Sequence, residues 1–127
     1  MTEDQERAKR QAEAQIESII EMVEGLDTED DERREEAEQT IHEDPLEVSV
    51  RGGWCSPGVE AEDEEFLVLL CTGGPAVRII GDLNKYNKPE NVTVQYQDWF
   101  TPWIDFQMTD EQEEAVLKYA QQFYYGD

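Results

Sequence analysis

Carboxylates are the side chains this sequence holds in excess, 32 Asp plus Glu against 10 Lys plus Arg, for a formal net charge of −22. Such groups can work as general acids and bases or as ligands for hard cations. Two runs are dense: Glu29-Asp30-Asp31-Glu32 and Glu62-Asp63-Glu64-Glu65. An EF-hand loop alternates its Asp or Asn ligands, turns on a central Gly and closes on a Glu twelve positions in. Neither run has that spacing, so both read as solvated charge. No metal site and no other cofactor is expected.

Nucleophilic chemistry has even less to work with. Cys55 and Ser56 lie in the glycine-bounded stretch Gly52–Gly58, but nothing resembles GxSxG. The only histidine, His42, belongs to an acidic helical segment. It reads as a solvent-facing residue near a helix end, favoured there by the dipole and by Glu38, Glu43 and Asp44. The glycine pairs at Gly52-Gly53 and Gly73-Gly74 fit neither GxxxxGK[ST] nor GxGxxG. Cys55 and Cys71 have no CxxC spacing, and are expected as reduced, partly buried thiols. The sequence therefore points away from an enzyme.

Composition narrows the partners. Direct contact with DNA, RNA or anionic lipid through a basic surface is opposed by Coulomb repulsion. No run approaches the ~20 apolar residues of a membrane span, and no basic n-region precedes an apolar stretch. A cytoplasmic protein is expected. Twelve aromatic residues in 127 are enough for a modest core.

The elements that must carry these groups follow from periodicity. Residues 3–24 read as a helix with Ala12, Ile16, Ile19, Ile20 and Val23 on one stripe, stopped by Gly25. Glu6, Glu13, Glu17 and Glu24 share another face of that helix, one or two turns apart. A second helix is predicted over about 29–43, N-capped by Thr28 and ended by Pro45, with only Ala37 and Ile41 on its apolar face. The two are expected to form a helical hairpin. From Leu46 the pattern changes to period two, and strands are predicted over 46–51, 66–71, 76–80 and 92–97. A last helix over about 110–124 has Thr109 and Gln112 in capping-box positions. The expected class is α+β: an acidic helical region over 1–45, then a core over 46–127. That core is a four-stranded, mostly antiparallel sheet with the C-terminal helix packed on it.

The segment Gln97-Asp98-Trp99-Phe100-Thr101-Pro102-Trp103 concentrates three large aromatics. They anchor either the end of the core or a partner. Tyr119, Phe123, Tyr124 and Tyr125 are expected to join the same cluster.

From Leu46 to Gly126 the chain resembles a family of small uncharacterised proteins of bacteriophages and integrated mobile elements. The resemblance is carried by Arg51-Gly52-Gly53-Trp54, Ser56-Pro57-Gly58 and Leu69-Leu70-Cys71-Thr72-Gly73-Gly74-Pro75-Ala76-Val77-Arg78-Ile79. It continues through Gln97-Asp98-Trp99, Thr101-Pro102-Trp103, Tyr119-Ala120 and Phe123-Tyr124-Tyr125-Gly126. It covers about two-thirds of the chain and implies no catalytic residues. It does imply a context, that of the acidic phage inhibitors that disarm nucleic-acid-binding host proteins such as restriction and CRISPR effectors.

Charge and context together predict a non-enzymatic nucleic-acid mimic that occupies the basic channel of such a protein. The expected contact residues are Glu13, Glu17, Glu24, Asp30, Asp31, Glu35, Glu36 and Glu38, then Glu62, Asp63, Glu64 and Glu65. The alternative is an interaction or assembly module that binds a protein partner through Trp99 and Trp103, its acids only solubilising.

Overall fold

The computed structural model describes residues 3–59, 63–73, 75–98 and 101–126. Two helices come first, α1 (Glu3–Glu24) and α2 (Asp31–Glu43). Strands β1 (Glu47–Gly52), β2 (Asp63–Cys71), β3 (Ala76–Asp82), β4 (Thr93–Gln97) and β5 (Ile104–Asp105) follow, and α3 (Asp110–Ala120) closes the chain. The strands lie side by side in chain order, every neighbour antiparallel. The class is α+β as expected, with five strands rather than four. The additional one, β5, pairs only Asp105 with Gln95 and Ile104 with Tyr96. Two residues directly after Pro102 are too few to show a period of two.

The sheet has one covered face. Phe66, Val68 and Leu70 of β2, Val77 and Ile79 of β3, and Val94 and Tyr96 of β4 are buried. They alternate with half-buried neighbours, as one-sided packing requires. Over them lies α1, which crosses β3 and β4 and packs along α3. Ala8, Ala12, Ile16, Ile19 and Val23 all reach the core on the predicted stripe. The hydrophobic core is thus continuous across residue 45.

Local chemistry places the helix ends. The N-cap of α2 is Asp30, not the expected Thr28: its carboxylate accepts from the backbone N–H of Glu32 and Arg33. Thr28 Oγ1 instead accepts from Asp30 N–H at 3.2 Å, holding the capping residue in place. A carboxylate is the stronger acceptor for the two exposed donors of a helix start. In α3 the expected capping box forms, with Thr109 Oγ1 accepting from Gln112 N–H at 3.2 Å and Gln112 Oε1 accepting from Thr109 N–H at 2.9 Å. Gly25 follows α1 as predicted, but for a different reason. Its φ is not positive; a Cβ there would stand 2.9 Å from the Ala37 Cβ, so glycine lets the two helices approach. Gly81 in β3 is tighter still, because a Cβ would meet the Asn91 carbonyl oxygen.

The C-terminal end ties α2 to α3. The Tyr119 hydroxyl donates to Asp44 Oδ2 at 2.7 Å, and the Tyr125 hydroxyl donates to the Ala120 carbonyl at 2.6 Å. Burial raises both phenol pKa values well above the ordinary 10.0, and the Asp44 carboxylate adds to the effect on Tyr119. A phenol whose pKa is raised on folding contributes its full stability below the unfolded value. It loses that contribution as pH climbs towards the folded value, since the unfolded chain ionises first. Stability should therefore hold up to about pH 10, then fall by ~1.4 kcal/mol per pH unit for each tyrosine. Urea midpoints measured across this range should show the decline, to which Cys71 and Tyr96, also raised by burial, add smaller parts, and Tyr119→Phe should remove its own ~1.4 kcal/mol per pH unit.

Candidate acidic interaction surface

Along α1 the exposed face carries Glu6, Glu13, Glu17 and Glu24, all open to solvent and turned away from the buried stripe, with the exposed Arg10 between the first two. At ~1.5 Å rise per residue these four are separated by about 10, 6 and 10 Å along the axis. No ion pair forms at any of them among the described residues; the pairs that do form are Asp4–Arg7, Asp30–Arg33, Asp31–Arg34, Glu65–Arg51 and Glu114–Lys118.

Where α1 ends, the row continues on an element the sequence did not connect to it. Glu24 and Asp27 share a shallow cleft with Glu111, Glu114 and Lys118 of α3, floored by Ile20, Val23 and Ala115, with Lys118 paired to Glu114 at 3.9 Å. In the sequence, the acids at the start of α3 were legible only as dipole partners at its N-terminus. Their position beside Glu24 depends on the packing of α1 along α3, for which the linear pattern holds no signal.

The second helix contributes less regularly. Glu35, Glu36 and Glu38 are exposed, as are Asp30 and Asp31, but the last two are spent locally. Asp30 caps the helix, and Arg33 and Arg34 pair with Asp30 and Asp31 one turn on. The second acidic run is divided. Glu62 lies outside the described residues, as does Trp99. Asp63, Glu64 and Glu65 alternate along β2, so Glu65 faces Arg51 across the strand pair at 2.8 Å. These acids belong to the sheet and are not continuous with the α1 row. Among the described residues, no three or more His, Cys, Asp or Glu converge as a metal cage.

The aromatic cluster is split by the sheet. Tyr119 packs edge-on to Phe123 at 5.4 Å and Tyr125 lies 5.2 Å from Phe66, both on the covered face. Trp103 is half-buried on the open face, where the Arg78 guanidinium stacks on its ring at 4.0 Å and donates through Nε to Gln95 at 2.8 Å. Contrary to expectation, Trp103 does not join the Tyr119 group, because the Arg78 on which it stacks alternates with the inward Val77 and Ile79; Phe100, like Trp99, lies outside the described residues. The open face also carries half-buried Leu67, Leu69 and Ile80.

The remaining polar candidates are apart from one another. His42 is exposed, as expected; its Nε2–H donates to the Gln122 carbonyl at 2.8 Å and its ring lies 5.8 Å from Phe123. Cys55 and Ser56 belong to the loop after β1, where the Cys55 thiol faces the Val59 carbonyl at 2.9 Å. Both cysteines are free, Cys71 half-buried as expected but Cys55 exposed. No described helix is long and apolar enough to cross a membrane.

Comparison with known proteins adds no precedent: no family model matches the chain, and no curated protein or solved structure does.

Proposed function

We propose that this protein is a non-enzymatic inhibitor that presents the carboxylates of α1 to the cationic cleft of a nucleic-acid-binding protein, in the place of a polynucleotide. The observation that carries this is the unpaired row Glu6, Glu13, Glu17 and Glu24 on a helix whose opposite face is locked into the core. Its steps of about 6 and 10 Å match two and three phosphate spacings of ~3.4 Å along a strand. A rigid array costs less ordering entropy on binding than flexible acidic chain does. Leaving so many like charges unpaired opposes folding, and a cationic partner relieves that repulsion. The cleft where Glu24 and Asp27 meet Glu111 and Glu114 extends the row by another element.

The partner in this proposal is a basic protein of the host cytoplasm, of the restriction or CRISPR effector kind, and not nucleic acid itself. The test is competition. Purified effectors loaded with labelled oligonucleotide should release it on addition of this protein at low salt, and release should fade steeply as salt rises. Displacement that ignores ionic strength would instead favour contact through the open sheet face, where Trp103 and Arg78 stand beside Leu67, Leu69 and Ile80.

A further inference from the structure

Strand β1 ends the sheet on one side, and its outer edge pairs with no other described strand. Edges of this kind are ready templates for another strand, and charge or irregularity is the usual protection. Around this edge the protection is thin. Of the large apolar side chains left exposed, four belong to β1 or its flanks: Leu46, Val50, Trp54 and Val59. Trp54 is as exposed as a free side chain, at 106%. Helix α1 runs over β3 and β4 instead, which leaves Val48 only half-buried and Val50 exposed on the inward side of β1.

The strand itself reads Glu47-Val48-Ser49-Val50-Arg51. That order is self-complementary in an antiparallel pairing centred on Ser49. Glu47 of one copy then stands opposite Arg51 of the other, twice by symmetry, with Val48 opposite Val50 on the other face. Moving the centre to Val48 sets Glu47 against Ser49 and Arg51 against Pro45. Moving it to Val50 sets Glu47 against Gly53 and Arg51 against Ser49. Only the Ser49 register satisfies both charges, and cross-strand opposite charges are what select a register.

We propose that β1 is a homodimerisation edge, joining two copies of this chain through a two-fold axis at Ser49 into one continuous antiparallel sheet. Such an interface is isologous and closed. Val48 and Val50 of both copies form one apolar row on the helix-bearing side, continuing Phe66 and Val68, to which they are already registered. Arg51, held by Glu65 at 2.8 Å, gains Glu47 of the second copy, and a guanidinium fork can serve two carboxylates. Gly52 falls opposite Leu46 and Trp54 opposite Asp44, so the indole comes against the Asp44–Leu46 segment of the second copy. An indole buried there is the kind of anchor that dominates interface energies. Helix α1 is remote from this edge, over β3, β4 and α3. At ~0.15 M salt, screening over ~8 Å therefore mutes the repulsion between the two acidic rows.

The test is a charge exchange followed by sedimentation equilibrium at such salt. The natural chain is expected to dimerise. Glu47→Arg sets Arg against Arg and Arg51→Glu sets Glu against Glu, so each variant alone should associate about tenfold or more weakly. Mixed in equal amounts, the two variants should recover the dimer, as should the double exchange Glu47→Arg with Arg51→Glu. Recovery in the mixture also shows that both variant chains are folded. A natural chain that stays monomeric, single variants that dimerise like it, or a mixture that does not recover would each overturn the proposal.

Discussion

Replacing Glu13, Glu17 and Glu24 together by Lys is expected to weaken binding to a cationic nucleic-acid-binding target by about a thousandfold or more. Each truncated partner of a buried charge pair costs ~2–5 kcal/mol, and rim positions cost less, so three reversals need only modest contacts to exceed ~4 kcal/mol. The fold should not suffer. All three side chains are exposed, no ion pair is lost, and Lys is as good a helix former as Glu. Lowering the net negative charge should if anything raise the melting temperature. Titration calorimetry against a displaced effector gives the affinity, and circular dichroism gives the fold. Unchanged affinity in the triple variant would sink the assignment of α1 as the contact.

Ile16→Ala should be the most damaging of the simple core truncations in α1. Ile16 has no exposed surface and sits mid-helix, in the core cluster that joins α1 to the sheet. Truncating a buried Ile to Ala costs ~2–5 kcal/mol, a large share of the stability of a small domain. Because one core spans α1, the sheet and α3, the loss should be global. The helical signal and the near-ultraviolet signal of Tyr96, Tyr119 and Tyr125 should disappear at one lowered urea midpoint, with the slope unchanged. If α1 were only an appended helix, the helical signal would decay first and the aromatic signal would keep its midpoint.

Much of this fold was legible because it is written in local periods. The 3.6-residue stripe from Ala12 to Val23 and the alternation in β1 and β4 each need only their own residues to be seen. The capping box at Thr109 is equally local. Two elements escaped for the complementary reason. Strand β5 exists only because β4 offers it hydrogen-bond partners. The Asp30 cap displaced Thr28 because two good capping side chains lay within three residues, and geometry chose the carboxylate.

The candidate surface divides in the same way. Glu6, Glu13, Glu17 and Glu24 fall on one face by helical arithmetic, so the row was visible before any folding. Its extension through Asp27 to Glu111 and Glu114 was not, since those residues meet only where α1 lies along α3. The aromatic residues show the converse error. Trp103 and Tyr119 look like one cluster by composition, yet Trp103 stacks on Arg78 at the open face while α3 packs Tyr119 into the core on the other.

Charge and the amphipathic character of α1, α3 and the strands came from the amino-acid order alone, because they depend on residue type and near neighbours. Tertiary structure decided which acids stand together, which sheet face stays open and which strand is left at the edge. Those are properties of packing between segments far apart in the chain, where burial of one stripe of α1 against β3, β4 and α3 dictates what every other side chain can reach.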